Sequence, residues 1–189
     1  EQIDEKKEAY KEGYRTLANI MKERIRRAGE LIKKEHKDKV GIDKLDVGFR
    51  VFKLDSSNIK AWDTSVEKFE EQLDMFAQNN GEDIKQDRTE EDILFEILLK
   101  YGLELTVPIE EKQIAGNKVY NIGFGSMYIC LEDKVNPEVA KGIGVWHKEE
   151  FTDNNPSVIF KDNGFATDAD KTNTVQTLKQ FGISNVKSI

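Results

Sequence analysis

The polar cluster Asp55-Ser56-Ser57-Asn58 follows directly after an alternating apolar run at residues 47–54. Loops that follow strands often hold binding or catalytic side chains, so this cluster is the first place to look for a site. Asp and Ser side chains also close turns by hydrogen bonding to their own backbone. We favour the turn over a site, and we interpret the nearby Trp62 as a partly buried anchor rather than a platform for base stacking.

Ser65 and Lys68 have the Ser-x-x-Lys spacing of the nucleophile in some acyl-transfer enzymes. The same residues lie at the start of an amphipathic pattern. Thr64 and Glu67 have the spacing of a capping box, which predicts a helix beginning there. Ser is common in the first turn of a helix, so we expect a structural role for Ser65.

No metal site is predicted. His36 and His147 are the two histidines, and neither is close to the cysteine or paired at metal-ligand spacing, so we expect both at the surface. The segment Asp162-Asn163-Gly164, followed by Asp168 and Asp170, superficially resembles a calcium loop. It lacks the glutamate that closes such a loop. The sequence therefore predicts no catalytic, cofactor-binding or metal-binding residue.

Composition sets the broad class of the chain. Its 189 residues are 38% hydrophobic and 34% charged, which is enough for a core beneath a very polar surface. No apolar run reaches the length of a membrane span and no signal peptide is visible, so we expect a cytoplasmic protein with no membrane partner. The single cysteine, Cys130, lies in an apolar run and is expected to be a buried, inert thiol.

Charge is distributed unevenly along the chain. Residues 1–40 hold 12 Lys and Arg against 9 Asp and Glu, a net charge of +3. The remainder holds 17 against 27, a net of −10, and the two sum to the −7 of the whole chain. An acidic body is a poor general binder of nucleic acid, so any contact with DNA is expected from the basic segment.

That basic segment is predicted to be one long helix over residues 5–37. Apolar side chains recur at spacings of four and three and form a stripe, which we interpret as a possible association surface. It contains Tyr10, Tyr14, Leu17, Met21 and Ile25, and continues to Ala28 and Ile32. Possible contacts to DNA phosphate come from Arg24, Arg26, Arg27, Lys33 and Lys34, although solvated charge is the interpretation we favour for them.

The rest of the sequence predicts a mixed α/β fold, with α+β as the alternative. A strand is expected over residues 47–54, with Phe49, Val51 and Phe52 in the core. Thr89 is expected to cap a helix that ends at Gly102. Residues 107–131 predict three strands, the first two joined at Gly116-Asn117, and Ile122-Gly123-Phe124-Gly125 predicts a bend.

Helices and strands alternate towards the C-terminus. Asn136-Pro137 predicts a helix start, and Gly142 and Gly144 are expected to interrupt that helix. A short buried strand at residues 158–161 precedes a helix opened by Asp168 or Asp170 and stopped by Gly182. A last strand follows at residues 186–189. This order builds a parallel or mixed sheet, and we divide the chain into a helical arm, residues 1–40, and an α/β domain, residues 41–189.

Several long blocks, in this order, resemble a known family. They are KEAYKEGYRTLANIMKERIRRAGELIKKE at residues 7–35, GFRVFKLDSSNIKAWD at 48–63, RTEEDILFEILLKYGLELTVPIEEK at 88–112, VYNIGFGSMYICLED at 119–133 and VIFKDNGFATDADKTNTVQTLKQFGI at 158–183. Together they resemble the C-terminal portion of the modification (Mod) subunit of type III restriction-modification systems. The resemblance implies a parent protein that is an adenine-specific DNA methyltransferase, uses S-adenosylmethionine and flips its target base.

The chemistry of that parent is expected to lie outside this chain. Amino-methyltransferases of the class carry an Asp/Asn-Pro-Pro-aromatic motif, and the nearest approach here, Asn154-Asn155-Pro156-Ser157, lacks the second proline and the ring. They also carry a Phe-x-Gly-x-Gly loop at which backbone approaches the cofactor closely, and Phe124-Gly125-Ser126 departs from that spacing. S-adenosylmethionine is therefore expected for the parent and no cofactor for this chain.

The resemblance implies a non-catalytic C-terminal domain that serves assembly. Its expected partners are the methyltransferase domain of the same subunit, a second Mod subunit, the restriction (Res) subunit and, in the full complex, DNA. The alternative is a module that clamps the DNA backbone with the basic residues of the first helix. An independent enzyme is the weakest of the three because no activated nucleophile, metal set or cofactor loop is visible.

Overall fold

The computed structural model describes residues 2–60, 84–151 and 155–189. The chain divides into two compact units, residues 1–55 and residues 56–189. The sequence-based expectations for Trp62, Ser65, Lys68 and the helix capped by Thr64 and Glu67 lie outside the described residues. So does Asn154 of the Asn154-Asn155-Pro156-Ser157 segment.

The first unit contains two helices where the sequence predicted one. Helix α1 spans Glu8–Lys11 and α2 spans Leu17–Glu35, so the continuous helix over residues 5–37 is wrong. Gly13 adopts a left-handed φ of 97°, which ends α1 and which glycine adopts without steric cost. Thr16 then starts α2 afresh: its hydroxyl accepts from the N–H of Asn19, whose side chain accepts from the N–H of Thr16.

Residues 46–55 form no strand, which corrects a second prediction. The segment runs without a helix, turn or ladder partner, and Phe49, Val51 and Phe52 are exposed rather than buried in a core. A short 3₁₀ turn, Ile42–Lys44, precedes it. Alternating apolar residues produce a buried strand only when a neighbouring strand supplies hydrogen bonds, and residues 2–60 supply none to this segment.

The second unit is built on a five-stranded mixed sheet, which confirms the α/β or α+β class. The strands are β1, Ile109–Ile114; β2, Asn117–Ile122; β3, Met127–Cys130; β4, Ser157–Phe160; and β5, Asn185–Ser188. They lie side by side in chain order. The first three pair antiparallel, as hairpins, whereas β3, β4 and β5 pair parallel. Parallel neighbours need crossover connections, and helices supply them.

Among residues 84–151 and 155–189, three helices cover this sheet. Helix α3 is Glu90–Lys100, α4 is Glu138–Glu150 and α5 is Asp168–Gln180. Helix α3 packs on one face through Ile93, Leu94, Ile97 and Leu98. The crossover helices α4 and α5 pack on the other face, where Trp146, Ile143 and Leu178 are buried with Tyr128 and Phe160 of the strands. Both faces of the sheet therefore carry a hydrophobic core.

The helix starts follow the expected side-chain chemistry. Thr89 caps α3 as predicted, in a capping box with Asp92. Helix α4 begins at Glu138 with Pro137 as its N-cap, one residue later than predicted, and the side chain of Asn136 accepts from the N–H of Glu138. Helix α5 is capped by Thr167, whose hydroxyl accepts from the N–H of Asp170, so the cap lies one residue before Asp168.

Two turn predictions shift or fail. The β1–β2 hairpin turns at Ala115 and Gly116, both with positive φ, and Asn117 already pairs with Ile114. The predicted turn is therefore one residue too late. Helix α4 continues through Gly142 and Gly144 rather than being interrupted. Ile114 and Phe181 occupy the space that a Cβ would need, which explains why these two positions are glycine. The predicted bend at residues 122–125 is confirmed as part of the β2–β3 connection.

Candidate functional site

The apolar stripe of α2 is exposed in the structure. Leu17, Met21, Ile25 and Ile32 are 43–63% exposed, and Ala28, which falls on the same side of the helix, is also exposed. Within residues 2–55, Ile3 is the hydrophobic side chain that is buried, together with Gly29 of α2. The first unit thus presents apolar side chains to solvent and has almost no core of its own.

The two tyrosines of the predicted stripe do not belong to it. Tyr10 lies in α1 and its hydroxyl donates to Glu5 at 3.3 Å. Tyr14 lies in the connection between α1 and α2, where its hydroxyl accepts from the guanidinium of Arg27 at 3.3 Å. The break at Gly13 separates both residues from the helical register of Leu17, Met21 and Ile25, so the surface shortens to α2 alone.

One neighbouring side of α2 is covered from within the unit. A Cβ on Gly29 would lie 2.8 Å from the Cβ of Val47, so residues 46–48 cross the helix in close contact at that glycine. The N–H of Gly48 donates to the side chain of Asp46 at 2.8 Å and shapes the crossing. This contact leaves the stripe containing Leu17, Met21 and Ile25 uncovered.

The basic side chains of α2 fall into two groups. Arg26 and Arg27 both form ion pairs with Glu23, at 2.5 and 2.7 Å. The hydrogen bond from Arg27 is the main cause that lowers the pKa of Glu23, and the same bond raises the pKa of Arg27. Arg24 and Lys34 are exposed and Lys33 is half-buried. Two of the five proposed DNA-contacting cations are therefore already paired with a carboxylate.

Of the cluster at residues 55–58, Ser57 and Asn58 form a turn anchored to α3. The N–H of Ile59 donates to the Ser57 hydroxyl at 3.2 Å, which closes a serine turn of the expected kind. Ser57 itself donates to Glu96 at 2.5 Å, and the side-chain amide of Asn58 donates to the carbonyl of Asp92 at 2.8 Å. The cluster is held by its own contacts to α3, as the turn interpretation requires.

Glu96 carries a strongly perturbed carboxylate. Burial raises its pKa, but hydrogen bonds from Ser57, Lys100 and the N–H of Asn58 outweigh burial and lower the pKa to about 2. Perturbed groups are candidates for function, but ion pairs and anchoring hydrogen bonds perturb them as well. Here the groups that lower the pKa of Glu96 belong to the turn or to α3 itself, so we assign Glu96 to the attachment of the turn to α3.

His147 is buried, which corrects the expectation that both histidines lie at the surface; His36 is exposed as predicted. The Nδ1 of His147 lies 3.3 Å from the hydroxyl of Tyr128, and the two rings meet edge to face. Burial raises the pKa of the Tyr128 hydroxyl, so the phenol stays protonated and available as a donor. This pair is a satisfied polar contact within the core of the second unit.

The prediction that Cys130 is a buried thiol is confirmed. It is fully buried in β3, and burial raises the pKa of its thiol to about 11, so the reactive thiolate is scarce at neutral pH.

In the described ranges no group of three His, Cys, Asp or Glu side chains is placed to hold a metal ion. Among those same residues, no helix is both long and apolar enough to cross a bilayer.

A cavity of about 360 Å³ lies beside the carboxyl ends of β3 and β4, close to the start of α3. Its charged lining consists of Lys85, Arg88 and Lys161 together with Glu90, Glu132 and Asp133. Lys161 pairs with Asp133, and Lys118 pairs with Glu90. Three cations against three carboxylates give this lining no net formal charge.

No protein-family model matches the chain, and no curated protein matches it either.

Proposed function

We propose that this chain is the non-catalytic C-terminal domain of a type III Mod subunit, an adenine-specific DNA methyltransferase, and that its task is assembly. One observation carries the assembly role. Of the fourteen large hydrophobic side chains exposed among the described residues, eleven lie within the first 55 positions. Apolar surface concentrated in this way is uncommon on soluble monomers and marks sites of association.

The partners that fit this role are a second Mod subunit, the restriction subunit and the methyltransferase domain of the same subunit. The family assignment itself rests on the sequence blocks described above. S-adenosylmethionine would bind the methyltransferase domain of the parent, and cytoplasmic location follows from its role with cellular DNA. A second copy is the partner we favour for α2, because most soluble association is two-fold and places the same patch on both sides.

The free energy gained by burying the α2 stripe is too small to hold a dimer together securely on its own. Full burial of a large aliphatic side chain is worth about 2 kcal/mol, so burying the exposed half of each stripe residue contributes about 1 kcal/mol. Leu17, Met21, Ile25 and Ile32 then supply about 8 kcal/mol when both copies of a two-fold pair are counted. Association itself costs about 4–15 kcal/mol, so a pair held by α2 alone is marginal and needs further contacts.

The test is the molar mass of the full chain in solution, measured by light scattering after size exclusion. We expect a dimer that the double variant Leu17→Asp, Met21→Asp dissociates without loss of helical circular dichroism. The control is Lys34→Glu, which changes the net charge by the same two units on the far side of α2 and should leave the dimer intact. A wild-type monomer, or a dimer indifferent to the double variant, contradicts the role of α2.

A further inference from the structure

The hydroxyl of Ser56 accepts hydrogen bonds from two cationic side chains. The Nζ of Lys85 donates to Ser56 Oγ at 2.9 Å, and the Nη2 of Arg88 donates to the same oxygen at 3.1 Å. A hydroxyl oxygen has two acceptor lone pairs, so both are directed at cations here. Two positive charges therefore converge on an oxygen that carries no formal charge.

Nearby acids balance these two charges only from the solvent side. Asp87 lies 3.7 Å from the Nε of Arg88, and its side chain is 76% exposed whereas that of Arg88 is 13% exposed. Asp55, which precedes Ser56, is also exposed, and Lys85 is half-buried. Water and salt screen exposed charges more than partly buried ones. We call the three residues Ser56, Lys85 and Arg88 the Ser56 corner, and its cations are the less screened charges.

Arg88 makes further contacts besides those to Ser56 and Asp87. A guanidinium has five N–H donors, so Arg88 can bind an oxyanion while it keeps contacts of this kind. The ammonium of Lys85 has three donors, and within the described ranges its hydrogen-bond acceptor is the neutral hydroxyl of Ser56. The Ser56 corner thus holds two cationic donor groups that an anion can share.

The cavity beside the carboxyl ends of β3 and β4 begins at these cations. Its volume is about 360 Å³, and Lys85 and Arg88 both belong to its lining. Ile84, Ile93 and Leu131 supply apolar side chains to the same lining. Ligand sites are typically concave, largely apolar and about 300–1,000 Å³ in volume, with a few polar groups that fix orientation. The cavity therefore has room for a small organic body beside the two cations.

The three carboxylates of the cavity lining are already engaged. Glu90 pairs with Lys118, and Asp133 pairs with Lys161. The Oε1 of Glu132 accepts from the N–H of Lys118 at 3.3 Å. A carboxylate with a cation beside it repels an incoming anion less than an isolated carboxylate does, because the two opposite charges largely cancel at a distance. These acids therefore do not close the cavity to a negatively charged ligand.

We infer that the Ser56 corner binds the phosphate group of a small phosphate monoester whose organic body occupies the cavity. A phosphate monoester carries about 1.5 to 2 negative charges at pH 7 and three strong acceptor oxygens, which suits two cations and a hydroxyl. A carboxylate ligand would bring one charge. The site belongs to residues 56–189, whereas the α2 stripe belongs to residues 1–55, so it goes beyond the proposed assembly role.

Calorimetric titration of the full chain with phenyl phosphate and with inorganic phosphate tests the inference. We expect phenyl phosphate to bind with a Kd below about 1 mM. Inorganic phosphate should bind more weakly because it has no apolar body to bury in the cavity. Benzoate has the ring but one negative charge, so it should also bind more weakly. The affinity for phenyl phosphate should be lower at pH 5 than at pH 8, because the second pKa of a phosphate monoester is about 6.

Substitutions in the Ser56 corner locate the binding. Lys85→Met removes the ammonium but keeps an unbranched side chain, and we expect it to raise the Kd of phenyl phosphate by about tenfold or more. Lys85→Arg restores a cationic donor and should recover most of the affinity. The matched control is Lys141→Met, which removes the same charge from an exposed position of α4 and should leave the Kd unchanged.

Ser56→Ala decides the matter should Lys85→Met fail to fold, which circular dichroism would reveal. Ser56 is exposed, so its loss should leave the fold intact and raise the Kd by about threefold or more, the usual effect of one hydrogen bond.

Four outcomes would overturn the inference. They are no binding of phenyl phosphate at about 1 mM, a Kd that neither Lys85→Met nor Ser56→Ala changes, an equal loss in Lys141→Met, and equal affinity for phenyl phosphate and benzoate. Displacement of bound phenyl phosphate by a short DNA duplex would assign the Ser56 corner to a nucleic-acid backbone and would likewise reject the small ligand.

Discussion

The backbone N–H of Asn58 donates to Oε2 of Glu96 at 2.7 Å, across 38 residues of sequence. Glu96 also accepts from Ser57 and pairs with Lys100, so one carboxylate joins the turn at residues 56–59 to helix α3. The N–H of Lys85 donates to the carbonyl of Asn58 at 2.9 Å and continues the attachment. The ionised carboxylate of Glu96 therefore holds the start of the second unit to α3.

Glu96→Gln should destabilise the protein at neutral pH, because the amide keeps the shape but loses the charge that its donors face. The folded pKa of about 2 lies below the ordinary value of 4.5, so the carboxylate contributes stability that is full above about pH 4.5. That contribution declines as pH falls towards 2. We expect a loss on the order of 2 kcal/mol at pH 7 in denaturant unfolding, and convergence of variant and wild type near pH 2.

The control for this prediction is Glu91→Gln, on an exposed position of the same helix. It removes the same charge from the first turn of α3 and should cost less, about 0.5 kcal/mol from the helix dipole. Equal effects of the two substitutions across pH 2–7 would contradict the anchoring role of Glu96.

Gly144→Ala should destabilise the protein even though alanine favours helices. On an exposed helix this change would gain about 1 kcal/mol. In α4 the new Cβ would lie 2.3 Å from the ring of Phe181, so the ring or the helix must move. We expect a net loss of about 1–3 kcal/mol by thermal or denaturant unfolding. Val145→Ala, at the more exposed neighbouring position, is the control, and a stabilised Gly144→Ala would refute the packing explanation.

Much of the second unit could be predicted because its signals are local. The Thr89 cap, the Asn136 side chain and the turn glycine Gly116 between β1 and β2 each act over a few residues. The prediction that Gly142 and Gly144 interrupt α4 is wrong because a glycine in a helical pattern can mark either a break or a close contact. The contact partners, Ile114 and Phe181, lie far enough along the chain that no local pattern reveals them.

The first unit was harder for a physical reason. The apolar spacing of Tyr10, Tyr14 and Leu17 continues across Gly13, so periodicity alone joins two helices that the backbone separates. Residues 47–54 have the alternation of a strand, but pairing depends on a distant edge rather than on the segment itself. His147 was placed at the surface because its partner, Tyr128, lies 19 residues away on β3.

The chain alone should not bind S-adenosylmethionine and should not methylate DNA. The prediction follows from the missing Pro-Pro-aromatic and Phe-x-Gly-x-Gly elements. Isothermal titration should show no binding of micromolar strength, which would be about −8 kcal/mol. The control titration uses a complete type III Mod subunit under the same conditions. A cofactor site of that strength in this chain would refute the assignment to a non-catalytic domain.

DNA binding by the chain should be weak and should disappear as salt rises. The second unit carries a net charge of −10, obtained from 14 Lys and Arg against 24 Asp and Glu, and opposes the basic residues of α2. Arg26 and Arg27 are engaged by Glu23, so the exposed Arg24 and Lys34 are the cations best placed to meet phosphate. Each phosphate contact contributes about −0.9 to the slope of log affinity against log salt.

Arg24→Ala with Lys34→Ala should therefore reduce the magnitude of that slope by about 2, measured by fluorescence anisotropy on a labelled duplex. Arg26→Ala with Arg27→Ala also removes two positive charges and serves as the matched comparison. It should change the slope less, because those charges are already partly neutralised by Glu23. Equal effects of the two pairs would mean that the ion pairs open on DNA. Sequence-specific binding that survives physiological salt would favour the DNA-clamping module over assembly.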